Sequence, residues 1–182
     1  MLTNEQLDIV SICPRWVDRH HEMVVACAER KLHIYMEKPF CRDLQEADKM
    51  VNACEANDIK LAIAHQTRYS PKLAVIRNLI EDGGIGTVLE LRGRGKEDRR
   101  GGGEDLWVLG SHVFNLMQYF GGDSQWCMAE ATQQGKRITK EHVGPGKEGI
   151  GPLAADSITA MYGMQDNITG YFASDREAGN DL

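Results

Sequence analysis

The spacing of apolar residues predicts alternating strands and helices over the first 65 residues. Short apolar runs over 9–13, 32–36 and 61–64 are typical of buried strands. Between them, apolar residues recur at helical spacing over about 18–30, and again after a capping-box pattern at 43–46. Strands that alternate with helices of this length pair in parallel through right-handed crossovers. The first part of the chain is therefore predicted to be an α/β unit.

From residue 70 onward the pattern changes. Ser70 and Pro71 are typical of an N-cap and a first helical residue, and Gly83 and Gly84 predict the end of that helix. Strand-like segments and one further helix follow, the strands over 88–93, 126–134, 157–164 and 168–174 and the helix over 111–120. These strands indicate an antiparallel sheet covered on one side. We predict a domain boundary near residues 66–70.

Composition and charge exclude several classes of protein. The chain has 182 residues, of which 42% are hydrophobic and 26% are charged, as in an ordinary soluble globular protein. Its net charge of −6 argues against nucleic acid as the main partner, and the basic cluster over 92–100 is interpreted as a solvated loop. The sequence contains neither an apolar run long enough to span a membrane nor a secretory signal pattern at its start.

The five cysteines are widely spaced and include no C-x-x-C pair. This pattern favours a reduced, cytoplasmic protein over a disulfide framework, and it predicts no metal site. Cys27 and Cys54 fall on apolar helical faces and are interpreted as small core residues.

The tripeptide Glu37-Lys38-Pro39 directly follows the strand predicted over 32–36. Open α/β sheets bind ligands at the carboxyl edge of their strands, so Lys38 is expected where a substrate binds. Pro39 restricts the backbone and Glu37 places a carboxylate nearby, so that Lys38 is suited to holding the proton of a substrate hydroxyl. The alternative interpretation is an ordinary solvated Glu–Lys pair after a strand.

Four motifs occur in order along the chain: Pro14 with His20-x-Glu22, the tripeptide 37–39, the segment 65–71 and the helix 109–121. In that order they resemble the T-P-N…H-x-E, E-K-P, N-x-R-x-x-P and G-x-H segments of the Gfo/Idh/MocA family of NAD(P)-dependent oxidoreductases. The resemblance covers nearly the whole chain. It implies an α/β protein: the carboxyl-terminal half of a Rossmann parallel sheet (1–68), followed by part of an α+β antiparallel-sheet domain (69–182).

The resemblance also implies roles for individual residues. Lys38 would be the catalytic lysine, with His112 as its partner in handling the substrate hydroxyl proton. The cofactor, NAD or NADP, would be contacted by the residues at two strand ends, Pro14, Arg15, Trp16, Glu37 and Pro39. Arg68 and Tyr69 are candidates for the substrate wall.

Two departures from the family pattern matter. Many members have an aspartate four residues before the histidine, where this chain has Val108. Glu104 and Asp105 lie one helical turn further back and are interpreted as solvated charges, with a reach into the cleft as the alternative. Without that aspartate, His112 has two interpretations, a proton-handling group or a packed core histidine.

The second departure is the absence of a Gly-rich turn between a first strand and a first helix, which a dinucleotide site needs for the pyrophosphate. The G-x-G-x-x-G letters over 144–149 precede no helix pattern, so this segment is interpreted as a loop. The run 101–103 is interpreted as flexible chain. We therefore expect a truncated family member that binds NAD(H) weakly.

The expected parent activity is reversible hydride transfer between NAD(P) and a hydroxyl carbon of a sugar, cyclitol or related polyol. Two alternatives remain, a non-catalytic fragment or assembly-type homologue, and an NAD-assisted lyase or glycosidase. A small-molecule partner and self-association into a homo-oligomer are expected, because truncation leaves exposed sheet surface.

Overall fold

The computed structural model describes residues 1–176, which divide into two compact units. Unit 1 comprises residues 1–64 together with 146–151, and unit 2 comprises 65–145 and 152–176 of the described chain. The chain passes from unit 1 to unit 2 between Ala64 and His65, slightly before the predicted boundary.

Unit 1 is a three-stranded parallel sheet with two helices. Its elements are β1 (Ile9–Ile12), α1 (His20–Ala28), β2 (His33–Met36), α2 (Leu44–Ala56) and β3 (Leu61–Ile63). The strand order is β1-β2-β3, and both neighbouring pairs are parallel, as predicted. The core is formed by apolar residues of the sheet and both helices, among them the fully buried Val24, Met36 and Met50. The α/β prediction is confirmed.

The N-cap half of the capping box predicted at the start of α2 is confirmed, whereas the returning bond from Glu46 goes to the amide of Arg42 and not to that of Asp43. The Asp43 carboxylate accepts a hydrogen bond from the backbone N–H of Glu46, with 2.8 Å between Oδ1 and N. Glu46 in turn accepts from the backbone N–H of Arg42 at 3.0 Å. The guanidinium of Arg42 hydrogen-bonds to the same carboxylate and holds the pKa of Glu46 below its ordinary value. The first turn of α2 is thus fixed by its own side chains.

Unit 2 is built on a five-stranded sheet. Its elements are α3 (Pro71–Glu81), β4 (Glu90–Arg94), α4 (Gly103–Val108), α5 (Gly110–Gly121), β5 (Trp126–Gln133), β6 (Lys136–Arg137), β7 (Gly144–Pro145), β8 (Pro152–Leu153), β9 (Ser157–Gly163) and β10 (Thr169–Asp175). The sheet order is β4-β10-β9-β5-β6, and β7 pairs with β8 separately. The prediction was wrong in one respect, because β4 runs parallel to β10. The short elements α4, β6, β7 and β8 were not predicted.

Helix α5 covers one face of this sheet. Met117 packs with Met164 and Ile168, and the Phe114 ring lies 5.0 Å from that of the buried Phe172. A side chain at Gly93 of β4 would collide with Val113 of α5, so glycine allows the close approach of helix and strand. The predicted α+β architecture of this half is confirmed.

All five cysteines are free, and Cys27 and Cys54 are buried in the core of unit 1 as expected. Within residues 1–176, no helix combines the length and the apolar character needed to cross a membrane. The same residues contain no cluster of three or more His, Cys, Asp or Glu side chains able to hold a metal ion.

Candidate active site

The tripeptide Glu37-Lys38-Pro39 lies at the carboxyl end of β2, as its position after an apolar run predicts. The backbone N–H of Glu37 donates to the Ile12 carbonyl of β1 at 2.9 Å. This hydrogen bond between the ends of β1 and β2 fixes the backbone at the start of the tripeptide. The Glu37 carboxylate then accepts from the backbone N–H of Lys38, at 3.0 Å. Lys38 is half-buried, whereas Pro39 is buried. Backbone and side chain thus hold Lys38 at the edge where parallel sheets bind ligands.

A fully buried histidine connects the loops that follow β1 and β2. The Nδ1 of His20 lies 2.8 Å from the Pro39 carbonyl oxygen, and its Nε2 lies 3.2 Å from that of Pro14. Both partners are backbone acceptors and a neutral ring has one N–H, so the tautomer of His20 decides which carbonyl receives the hydrogen bond. His20 belongs to the H-x-E stretch of the sequence, but the sequence assigns it no role. Its position joins the two predicted cofactor loops through their backbones.

The loop after β1 carries the predicted cofactor residues Pro14, Arg15 and Trp16. The Arg15 guanidinium lies 5.0 Å from the centre of the Trp16 ring and forms an ion pair of 2.9 Å with Glu148. The Glu148 carbonyl also accepts from the backbone N–H of Val17, at 3.2 Å. Glu148 belongs to the G-x-G-x-x-G letters; their first two residues form the short strand β7, and the rest is a loop that leads into β8, not into a helix. No local sequence signal indicates this long-range contact.

In unit 2, His112 lies in the first turn of α5 and is half-buried. The His65 ring packs edge-on against the His112 ring, with 5.3 Å between centroids and 87° between planes. The backbone N–H of His112 donates to the Leu109 carbonyl at 3.0 Å. His112 therefore starts a well-formed helix and has an aromatic neighbour on one side.

A cavity of about 550 Å³ lies beside His65 in unit 2. Polar side chains from one face of α5 line it at helical spacing, namely Ser111, Asn115 and Gln118. The Asn115 Oδ1 atom is buried and has no hydrogen-bond donor among the described residues. Sequence reasoning missed this polar face, although its spacing of four and three residues was available as a signal.

Tyr162 of β9 lines the same cavity and packs against Phe114, with 5.2 Å between ring centres. Burial raises the pKa of Tyr162 to about 12, and the neighbouring Cys127 adds to the shift. The phenol therefore stays protonated at neutral pH and keeps its donor. Together, Asn115 and Tyr162 give the cavity both donor and acceptor groups.

The two predicted substrate-wall residues lie in the 3-10 turn Gln66–Tyr69 that follows His65. The Arg68 guanidinium lies 5.2 Å from the centre of the Tyr119 ring, and Tyr69 is 71% exposed. Neither residue is among the described residues that line the cavity beside His65. Their role in substrate binding stays a prediction.

The interpretation of Asp105 as a solvated charge was wrong. Asp105 lies on α4 with no exposed surface and forms an ion pair of 3.1 Å with Lys96. Lys96 is therefore not part of the solvated basic cluster that was predicted. Three arginines of that cluster are exposed and form ion pairs with nearby carboxylates: Arg92 with Glu90, Arg94 with Glu97 and Arg100 with Asp98. Glu104 is half-buried.

The run Gly101-Gly102-Gly103 is not flexible chain, because all three residues are buried and the last begins α4. A side chain at Gly103 would collide with the Ala154 carbonyl oxygen, and one at Gly102 would collide with that of Ala155. Gly102 also has a φ of 85°, a conformation that favours glycine. These glycines let backbone pack directly on backbone beside the His112 helix.

Comparisons with known proteins agree with this architecture. Residues 1–65 match the GFO_IDH_MocA family model, "Oxidoreductase family, NAD-binding Rossmann fold". The chain is 23% identical to myo-inositol 2-dehydrogenase of Thermotoga maritima, over 92% of this chain and 55% of that protein. It is 26% identical to levoglucosan dehydrogenase of Pseudarthrobacter phenanthrenivorans, over 87% of this chain and 47% of that protein.

Solved structures are similar over almost the whole chain. The structure of levoglucosan dehydrogenase with NADH and levoglucosan matches with a TM-score of 0.76 and 23% identity, over 97% of this chain and 50% of that one. An oxidoreductase from Agrobacterium radiobacter in complex with NAD⁺, L-tartaric acid and magnesium matches with a TM-score of 0.74 and 22% identity, over 98% of this chain and 50% of that one.

The chain spans about half the length of the curated relatives it matches. Three observations lead to one assignment: the parallel sheet with the E-K-P tripeptide, the family match over residues 1–65 and the shared fold of both units. Residues 1–65 match the Gfo/Idh/MocA family of oxidoreductases, and the chain as a whole shares the fold of solved oxidoreductases.

Proposed function

We propose that this chain carries the proton-handling residues of an NAD(P)-dependent dehydrogenase that acts on a hydroxyl carbon of a sugar, cyclitol or related polyol. The observation that carries the proposal is the fixed position of Lys38 at the carboxyl end of β2, in a chain of this family.

The strand ends of unit 1 fit the nicotinamide end of the cofactor better than its pyrophosphate. Pro14, Arg15 and Trp16 follow β1, Glu37 and Pro39 follow β2, and His20 joins the two loops, so these residues would hold that end. A pyrophosphate needs backbone amides brought close by glycine at a helix N-terminus. Residues 1–64 contain no glycine, so their loops do not fit that part of the cofactor.

Lys38 is the proposed acid–base group of the reaction. When bound, NAD(P) supplies the acceptor for the hydride that leaves the substrate carbon. Oxidation of an alcohol also releases the hydroxyl proton, and the Lys38 amine is proposed to take it at Nζ and to return it in the reverse direction. His112 is the proposed second proton-handling group, because it is half-buried and held by the first turn of α5.

The proposed substrate class rests on the polar cavity of unit 2 and on the relatives. Ser111, Asn115, Gln118 and Tyr162 offer donors and acceptors in the pattern that several neighbouring hydroxyl groups require. The relatives are named for myo-inositol and levoglucosan, both rich in hydroxyl groups. We propose a substrate of the same chemical class for this protein.

The test is turnover by a chain that has a complete cofactor site. The strand, Gly-rich turn and helix of levoglucosan dehydrogenase would be fused before Met1, and reduction of NAD⁺ and NADP⁺ would be followed with a panel of cyclitols, anhydrosugars and aldoses. We expect saturable turnover with at least one of them. If the fused protein binds NADH tightly but reduces neither cofactor with any member of the panel, the dehydrogenase proposal is wrong and a non-catalytic family member is favoured.

A further inference from the structure

We infer that Asp105, acting with Lys96 and Ser174, is a positioning residue that sets the orientation of His112 through the backbone of α4 and α5. The inference rests on the proposed function of His112. It concerns a carboxylate that is not in the position of the family's usual aspartate, which Val108 occupies here.

The Asp105 carboxylate is held at both oxygens, by hydrogen bonding at Oδ2 and by an ion pair at Oδ1. Its Oδ2 accepts from the backbone N–H of Lys96 at 2.7 Å and lies 3.0 Å from the Ser174 hydroxyl. Its Oδ1 lies 3.1 Å from the Lys96 ammonium. Asp105 has no exposed surface and Ser174 is 1% exposed. Charge-assisted hydrogen bonds in such an environment are short, directional and resistant to displacement by water.

The surroundings are shaped for this carboxylate. A side chain on Gly95 would collide with Asp105 Oδ2 and with Ser174, so the end of β4 leaves room only for glycine. Ser174 Oγ also accepts from the backbone N–H of Gly102, at 3.0 Å. The cluster therefore joins three separate parts of unit 2: the segment after β4, strand β10 and the glycine run before α4.

Asp105 connects to His112 through two helical hydrogen bonds. The Asp105 carbonyl accepts from the backbone N–H of Leu109 at 3.0 Å, and the Leu109 carbonyl accepts from that of His112 at 3.0 Å. Leu109 is at once the C-cap of α4 and the N-cap of α5, and its side chain provides no capping hydrogen bond. The direction in which α5 starts, and with it the position of His112, therefore depends on how α4 is anchored.

Stability alone is a weak reason for this cluster. Desolvation of two charges largely cancels their attraction, so a buried ion pair is often replaced by apolar residues without loss of stability. The pair does fix a geometry, since Oδ2 accepts from the backbone N–H of Lys96 while Oδ1 faces the Lys96 ammonium, which leaves the carboxylate little freedom to rotate. We assign the Asp105 cluster to positioning for that reason.

The first experiment compares Asp105→Asn with Glu104→Gln in the 182-residue chain. Both changes remove one carboxylate from α4 at nearly constant volume, but only the first removes the charge that pairs with Lys96 and one of the two acceptor oxygens of the cluster. The readouts are the ring resonances of His112, assigned with His112→Gln, and amide hydrogen exchange at His112 and Val113. Asp105→Asn should shift the ring signals and speed exchange by about tenfold or more, the effect of losing one charged hydrogen bond. Glu104→Gln should change neither.

A second pair of variants separates positioning from stability. Lys96→Met with Asp105→Leu removes both charges and restores apolar packing, so the melting temperature should recover toward that of the unaltered chain. The His112 ring signals should nevertheless stay shifted. Ser174→Ala keeps the ion pair and should give a smaller shift, and it provides the test if Asp105→Asn does not fold.

Unchanged His112 signals and exchange in all folded variants would overturn the inference and leave Asp105 a purely structural residue. These readouts need no substrate or cofactor, so the result is independent of turnover. In the fused protein with a complete cofactor site, the positioning role further predicts a lower kcat for Asp105→Asn with little change in KM. Failure of His112→Ala to affect turnover there would instead contradict the proposed function of His112.

Discussion

The two units hold their proposed proton-handling residues by opposite means. Residues 1–64 contain no glycine, and the loop with Lys38 is fixed by a buried side chain, His20, which binds loop carbonyls. In unit 2, three consecutive buried glycines precede the helix with His112, and backbone packs on backbone. In unit 1, the His20 side chain acts as a histidine clamp, because it lies between two loops and contacts both. In unit 2, glycine lets two backbone segments contact each other directly. Residues 1–64 thus fix their loops without glycine, and those loops lack the close backbone approach that a phosphate needs.

The largest expected effect concerns the cofactor. Because the loops of residues 1–64 lack glycine, the 182-residue chain should bind NADH and NADPH with a Kd of about 1 mM or weaker. Addition of a strand, Gly-rich turn and helix before Met1 should tighten binding by about a thousandfold. Calorimetric titration of both proteins measures this difference. Micromolar binding by the chain alone would show that its loops do hold the pyrophosphate.

The histidine clamp can be broken by His20→Ala. The change removes a fully buried ring together with its contacts to the Pro14 and Pro39 carbonyls, and it should lower the free energy of unfolding by about 3 kcal/mol. His33→Ala is the matched control, because His33 is exposed and its ring accepts only from the Lys60 amide. Chemical denaturation compares the two. Equal losses would mean that the His20 contacts do not hold the loops.

The backbone contact of unit 2 can be broken by Gly103→Ala. The added methyl group meets the Ala154 carbonyl oxygen, which belongs to the backbone and cannot rotate away, so unfolding should become easier by about 2 kcal/mol. Gly144→Ala is the control, because nothing lies within 4 Å of a side chain at Gly144. If both variants unfold at the same denaturant concentration, the glycine run is not a packing requirement.

A smaller effect is expected at the helix caps, one in each unit. Asp43→Ala removes the side-chain bond to the Glu46 amide and should cost about 1 kcal/mol of stability. Ser70 occupies the N-cap of α3 without such a bond, so Ser70→Ala should cost less. Thermal unfolding distinguishes the two. A larger loss at Ser70 would contradict the assignment of the caps.

Features that depend on neighbouring residues were predictable from the sequence. The strands of unit 1, the cap at Asp43 and the place of Lys38 after β2 follow from local periodicity and turn chemistry. The whole-chain resemblance added the fold, which is confirmed, and the family, whose model matches residues 1–65.

Features that depend on long-range contacts were not predictable. Lys96, Asp105 and Ser174 meet although up to 78 residues separate them, and each looks like an ordinary surface residue in the sequence. The parallel pairing of β4 with β10 was missed because strand direction is set by partners distant in the chain. The Glu148 contact with Arg15 was missed for the same reason.

The most direct test of the account is turnover by Lys38→Ala in the fused protein with a complete cofactor site. Lys49→Ala is the matched control, since Lys49 is an exposed lysine on α2 of the same unit. The account predicts that Lys38→Ala lowers kcat by about 10² to 10⁴-fold with little loss of NADH affinity, and that Lys49→Ala changes neither. Near-normal turnover by Lys38→Ala would contradict it and reduce Glu37-Lys38-Pro39 to a structural turn.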